Sequence, residues 1–172
     1  MSGRVPRLFA LDQNFPEPIV EALEEFLEDA VELVPIRRID PRMSSLDDWQ
    51  VLLALHVHDR PWDGLITTDC NMLNLPKELA VLCQTKLTLV VAVSAGHDPI
   101  KATGLVLAHL AGICQRTRPG RGQVWKLATR QRGAEDVWDH VEATARRRGE
   151  TAQEMYERER LPGAQLARSP LA

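Results

Sequence analysis

Apolar residues along this chain gather in short runs that end on polar residues, separated by segments with helical spacing. Leu8-Phe9-Ala10-Leu11 is unbroken, the pattern of a strand buried on both faces, and it stops at Asp12-Gln13-Asn14. From Pro16 onward Ile19, Val20, Leu23, Phe26 and Leu27 recur at three- and four-residue intervals through about Asp29, which predicts an amphipathic helix. Val31 to Ile36 alternates and predicts a second strand, and the polar stretch Arg37 to Ser45 predicts a loop. Ser45, three residues before Asp48, makes an acidic variant of the capping box and opens a helix from Asp47 to about Val57. His58-Asp59-Arg60-Pro61 breaks it.

The second half repeats the rhythm. Gly64 to Thr68 predicts a third buried strand ending at Asp69, Pro76 starts a short helix to about Cys83, and Leu87 to Val93 is β-branched and continuous. Asp98 and Pro99 read as the N-cap and first position of a long apolar helix to about Gln115. A basic loop, Arg116 to Gly122, leads to a fifth strand at Gln123 to Ala128 and a polar amphipathic helix at Glu135 to Arg148. From about Gly163 the composition is that of a frayed tail. Alternating strand and helix predicts a three-layer α/β/α sandwich with a central, mostly parallel sheet, plus a C-terminal helix. We divide it into an α/β domain at 1–133 and a helical extension with a tail at 134–172.

Composition alters this picture in one respect. The 172 residues carry a net charge of only −3, which on its face argues against a nucleic-acid partner. Residues 1–100, however, hold 8 Lys/Arg against 16 Asp/Glu, while 101–172 hold 13 against 8. The small total conceals an acidic two-thirds and a basic remainder. Three cysteines without a C-x-x-C pair suit a reduced compartment, and no apolar run reaches signal-peptide or membrane-span length, so a cytoplasmic protein with no membrane partner is expected.

Ligands in parallel sheets bind beyond the carboxyl ends of the strands, so chemistry is sought there. Asp12 and Asp69 each close a buried strand, Asp47 or Asp48 opens the intervening helix, and Asn14 and Asn71 follow the two strand-end acids by two residues. Aspartate is common at such places because it caps turns and helices. Three on one sheet edge are less easily explained that way. Carboxylates drawn together repel unless a cation intervenes, and hard oxygen donors suit Mg²⁺ or Mn²⁺.

The run Phe9-Ala10-Leu11-Asp12-Gln13-Asn14 before a helix resembles the opening of PIN-domain proteins. So does Leu46-Asp47-Asp48-Trp49 before a helix, followed by Gly64-Leu65-Ile66-Thr67-Thr68-Asp69-Cys70-Asn71-Met72-Leu73. The likeness is greatest to the compact branch related to VapC toxins and covers about residues 7–128. It implies a Mg²⁺- or Mn²⁺-dependent endoribonuclease whose cut leaves a 3′-hydroxyl and a 5′-phosphate, with RNA as substrate and the toxin half of a toxin–antitoxin pair as its setting. Asp12, Asp69 and either Asp48 or Asp47 would carry over as catalytic and metal-binding acids, Asn71 as a further metal neighbour and Asn14 as a residue orienting the carboxylates. Gln13 stands where relatives often have an acid, and Asn71 where many PIN nucleases have a fourth carboxylate. The alternative is therefore a catalytically inactive PIN-like module that binds RNA or a protein.

Other motifs fit less well. An aspartyl phosphoryl-transfer site wants Asp-x-Asp, but position 14 is Asn; a receiver-like domain wants a Lys after a late strand, but Lys126 lies inside the predicted fifth strand. No phosphate-binding glycine loop is present. His56 and His58 fall on different helix faces, His109 lies in the apolar helix, and His97 precedes Asp98 near a strand end where it could approach the acids. Trp49, Trp62, Trp125 and Trp138 are scattered, and core packing is the expectation for each. The arginines fall into three groups, at 116, 118 and 121, at 130 and 132, and at 146–148, which are either solvated surface or phosphate contacts. The partners expected are RNA, an antitoxin protein and a second copy of the chain, with 134–172 as a dimer element, a partner-docking helix or a mobile tail.

Overall fold

The computed structural model describes residues 6–15, 17–27, 31–95, 98–130 and 132–172. The expectation for His97 lies outside these residues. Six strands form one sheet in the order β2-β1-β3-β4-β5-β6, with β1 at Arg7–Leu11, β2 at Val31–Pro35, β3 at Gly64–Thr67, β4 at Thr88–Val91, β5 at Gln123–Lys126 and β6 at Glu135–Asp136. The first five are parallel and β6 is antiparallel to β5. Among the described residues the helices are α1 (Glu17–Leu27), α2 (Ile36–Ile39), α3 (Asp48–His56), α4 (Pro76–Thr85), α5 (Pro99–Arg116), α6 (Val137–Arg148), α7 (Ala152–Glu159) and α8 (Gly163–Leu166). None is long and apolar enough to cross a membrane.

The three layers follow from the two-residue period of a strand. Leu8, Ala10, Leu65, Leu89, Val91 and Val124 face one core with α3, α4, α6 and α7. Their neighbours Phe9, Leu11, Ile66, Val90 and Trp125 face the other with α1 and α5. This is why the strands read as unbroken apolar runs: helices cover both faces. Val20, Leu23 and Leu27 fill the second core, whereas Phe26, one step round α1, is 76% exposed. Gly64 is fixed by contact. A Cβ there would lie 1.9 Å from the Thr88 carbonyl oxygen and 2.8 Å from the Phe9 ring, so only glycine lets β3 lie against β4.

Several local expectations change. The capping residue of α3 is Asp47, whose N–H donates to the Gln50 side chain at 3.0 Å; the Ser45 hydroxyl instead donates to the Arg42 carbonyl. Arg37 to Ser45 is not a plain loop but holds the end of α2 and a 3₁₀ turn at Pro41–Ser45, N-capped by Asp40. β6 takes two residues from the start of the predicted last helix. The chain beyond Gly163 is docked rather than frayed: Leu166 and Leu171 pack on the first core, and Arg42 donates to the Leu171 carbonyl at 2.8 Å. Met155 of α7 and Leu161 are buried in the same core. By contrast, Asp98 caps α5 as its sequence predicts, accepting from the N–H groups of Ile100 and Lys101.

Candidate active site at the carboxyl edge of the sheet

Strand order sets the location. The chain winds outward from β1 to β2 on one side and from β3 to β5 on the other, so the order reverses between β1 and β3. At such a switch point the two crossovers leave in opposite directions and a crevice opens beyond the strand ends. Asp12 directly follows β1 and Asp69 follows β3 by two residues.

Asp12 is 8% exposed and well held. Its carboxylate accepts from the Gln13 N–H at 2.7 Å, the Asn14 amide at 3.0 Å and the Thr67 hydroxyl at 2.8 Å. The Thr67 hydroxyl also accepts from the Asp69 N–H at 3.0 Å, so one side chain links the two strand-end acids. Asp69 caps the 3₁₀ turn Cys70–Leu73 by accepting from the Asn71 N–H at 2.8 Å. Burial raises the pKa of Asp12 despite its three donors, and the charge of Asp69 adds to the rise.

Asp48 supplies the third acid from the first turn of α3. It makes no side-chain hydrogen bond among the described residues. Burial, reinforced by the charges of Asp12 and Asp69, pushes its pKa up to about 6. The choice between Asp47 and Asp48 is thereby narrowed: Asp47 is exposed and occupied with the helix start, and Asp48 is the one that shares a field with Asp12 and Asp69. Asn14 touches the Asp12 carboxylate, while Asn71 is exposed and approaches Asp69 through its backbone.

Three roles escaped the sequence reading. Thr67 belongs to the strand end that carries the resemblance, and the structure adds its role as the hydroxyl that joins Asp12 to Asp69. Glu78, in the first turn of α4, is buried, has a raised pKa through that burial, and adds its charge to the field at Asp48. Lys126 at the end of β5 lies close enough to Cys70, next to Asp69, to act on its thiol. Glu78 carried no signal, since a glutamate three residues into a helix is ordinary.

The donors here are all oxygens and their charges oppose one another, which fits a hard divalent cation. Among the described residues, no three carboxylate, imidazole or thiol groups are set to hold a metal ion as they stand. Of the arginine groups, 130 and 132 follow β5 and share this edge, and Arg147 reaches it by donating to the Asn74 side chain at 2.8 Å. Arg116, Arg118 and Arg121 precede β5 and belong to the opposite edge. No protein-family model matches the chain, and no curated protein or solved structure matches it either.

Proposed function

We propose that this chain is a divalent-metal-dependent endoribonuclease of PIN-like type, acting in the cytoplasm as the toxin of a toxin–antitoxin pair. The observation that carries the reading is the set Asp12, Asp48 and Asp69, delivered by three separate elements to the β1/β3 switch point, with proton affinities raised in two of them. Buried like charges are costly to keep, and clefts where they persist are candidate reaction centres. Asp12, Asp48 and Asp69 would hold Mg²⁺ or Mn²⁺, which when bound supplies water activation and offsets charge on a phosphoryl oxygen.

The chain's own residues do the positioning. Thr67 and Asn14 fix the Asp12 carboxylate, and the Asn71 N–H fixes that of Asp69. Asp48, whose side chain makes no hydrogen bond among the described residues, can turn toward a cation. A second reading, the inactive binding module, is favoured by one observation. Three of the lone-pair directions of Asp12 are already taken by Thr67, Gln13 and Asn14, and position 71 offers an amide rather than a carboxylate.

The test is incubation of purified protein with a labelled RNA pool in Mn²⁺ or in EDTA, beside Asp12→Asn and Asp69→Asn. Cleavage that needs Mn²⁺ and is lost in both variants is expected. Absence of cleavage by the wild type with any divalent metal, at concentrations where RNA is bound, would leave the binding module standing.

A further inference from the structure

The carboxyl edge continues beyond the acids into two clefts that share Val93, Lys126 and Glu135. One, of about 510 Å³, starts at Cys70 and Asn74 and runs under α6 to His140 and Arg147. The other, of about 410 Å³, lies beyond β4 and β5 and reaches Ser94, Thr129, Arg130 and Arg132. Both are of a size that holds part of a ligand. Together they form a groove whose near end is the residue after Asp69.

Its charge is opposite to that of the acidic centre. Lys126, Arg130, Arg132 and Arg147 line it against Glu135 and Asp139. Lys126 sits where the two clefts meet. Its ammonium is held by Glu135 at 2.8 Å, and Glu135 also binds the His140 ring at 2.7 Å. Burial and the charge of Lys126 lower the pKa of His140, so near neutral pH the pair Lys126–Glu135 has a neutral neighbour rather than a second cation. The ammonium keeps donors beyond the one given to Glu135. Ser94 adds a second sign: its hydroxyl oxygen is buried and has no hydrogen-bond partner among the described residues.

Several cations at the opposite edge are engaged there. Arg7 pairs with Asp63, Arg60 with Glu32 and Arg121 with Asp136, while Arg116 lies over the Trp125 ring. The basic half of the sequence is thus divided by the fold, and the part that meets the acids is the part lining this groove.

We propose that the groove from Cys70 past Lys126 to Arg130 is a subsite for the phosphodiester backbone next to the cut, with Lys126 as its central contact and Glu135 as the residue that positions it. This rests on the ribonuclease reading. Among the described residues neither cleft is lined by Phe, Tyr or Trp, and the His140 imidazole is held by Glu135 at 2.7 Å, so bases have little to stack on here. The groove therefore takes single-stranded RNA through its backbone and discriminates little between sequences.

Binding of a fluorescent single-stranded RNA of mixed sequence, measured in an Asp12→Asn background so that nothing is cut, tests this. Lys126→Gln and Arg130→Ala are each expected to weaken binding about tenfold, and to flatten the dependence of log K on log salt by about 0.7 per phosphate lost. Arg118→Ala, at the far edge, should bind as the parent does, and thermal melts confirm that each variant is folded. The positioning role of Glu135 has its own readout: Glu135→Gln should weaken binding while keeping the parent's salt slope, because the cation itself remains. If folded Lys126→Gln and Arg130→Ala bind as the parent does while wild type cleaves RNA, the groove is refuted and the nuclease stands. If wild type neither binds nor cleaves RNA, both fail.

Discussion

Replacing Asp48 by Asn should make this protein more stable at neutral pH, an unusual direction for a partly buried polar residue. A carboxyl whose pKa is higher folded than unfolded binds its proton more tightly in the folded state. Stability from such a group is fully present below the unfolded value, 3.8, and is lost as pH rises to about 6. That interval corresponds to about 3 kcal/mol at 1.36 kcal/mol per pH unit. Asp48 is only partly buried, so water screens it, and about 1–1.5 kcal/mol is a fairer figure. The first turn of a helix favours a negative charge by about 0.3–1 kcal/mol, which Asn forgoes. The net gain at pH 7.5 then centres on about 0.6 kcal/mol, or about 1–2.5 °C in Tm for a chain of this length. The assay is thermal unfolding without divalent metal at pH 7.5 and at pH 4.0. The gain should be present at the first and absent at the second, where Asp48 is largely protonated. A variant less stable than wild type at pH 7.5, or equally shifted at both, would refute the electrostatic account of this site.

Mn²⁺ should raise the Tm of the wild type at pH 7.5, by about 2.7 kcal/mol of stability at a hundredfold excess over Kd, and much less in Asp12→Asn; calorimetric melts with and without metal decide this. Thr67→Val removes the hydroxyl shared by Asp12 and Asp69, so a loss of about 1.5–3 kcal/mol is expected in chemical denaturation. Because Thr67 lowers the pKa of Asp12, the loss should shrink as the pH falls and that carboxyl takes up its proton. Asp63→Ala should cost about 3 kcal/mol, since Asp63 accepts from Arg7 at 2.9 Å and from the Leu8 N–H at 2.8 Å, and both donors would lose their partner. Gly64→Ala should cost at least about 3 kcal/mol, because no side-chain movement relieves a Cβ 1.9 Å from a backbone oxygen; a soluble variant melting like wild type would count against the packing described.

The legible part of the fold was the part governed by local pattern. Leu8–Leu11, Gly64–Thr68 and Leu87–Val93 read as buried strands because helices cover both faces, and Asp98-Pro99 read as a helix start because capping is local. β6 was missed because two residues carry no period: Glu135 and Asp136 are strand only through pairing with Val124 and Gln123. α7 was missed although Thr151 and Glu154 form a capping box there, with Met155 buried just after. That signal was available. The docked end was not, since Leu166 and Leu171 are isolated apolar residues and the bond from Arg42 to the Leu171 carbonyl spans 129 positions. At the site, Asp12 and Asp69 were readable from the strand ends. The choice of Asp48 over Asp47 needed the phase of α3, and Glu78 and Lys126 needed the packing of α4 and β5.

β3 carries an aspartate beyond each of its ends, and their surroundings separate structural acids from candidate reaction groups. Asp63, before the strand, meets Arg7 and a backbone N–H of β1 and thereby staples the amino edge of the sheet. Asp69, after it, meets Asp12 through Thr67 and shares a field with Asp48. A parallel sheet gathers its strand ends by direction, so acids at carboxyl ends accumulate on one edge whatever their purpose. An acid kept only to cap a turn could be paired locally, as Asp63 is. Asp12 and Asp48 instead keep raised proton affinities, and among the described residues no Lys or Arg is paired with either. That cost is intelligible if the pairing charge comes from outside the chain, and it gives the two ends of one strand opposite responses to removal of a carboxylate: loss of stability at Asp63, gain at Asp48.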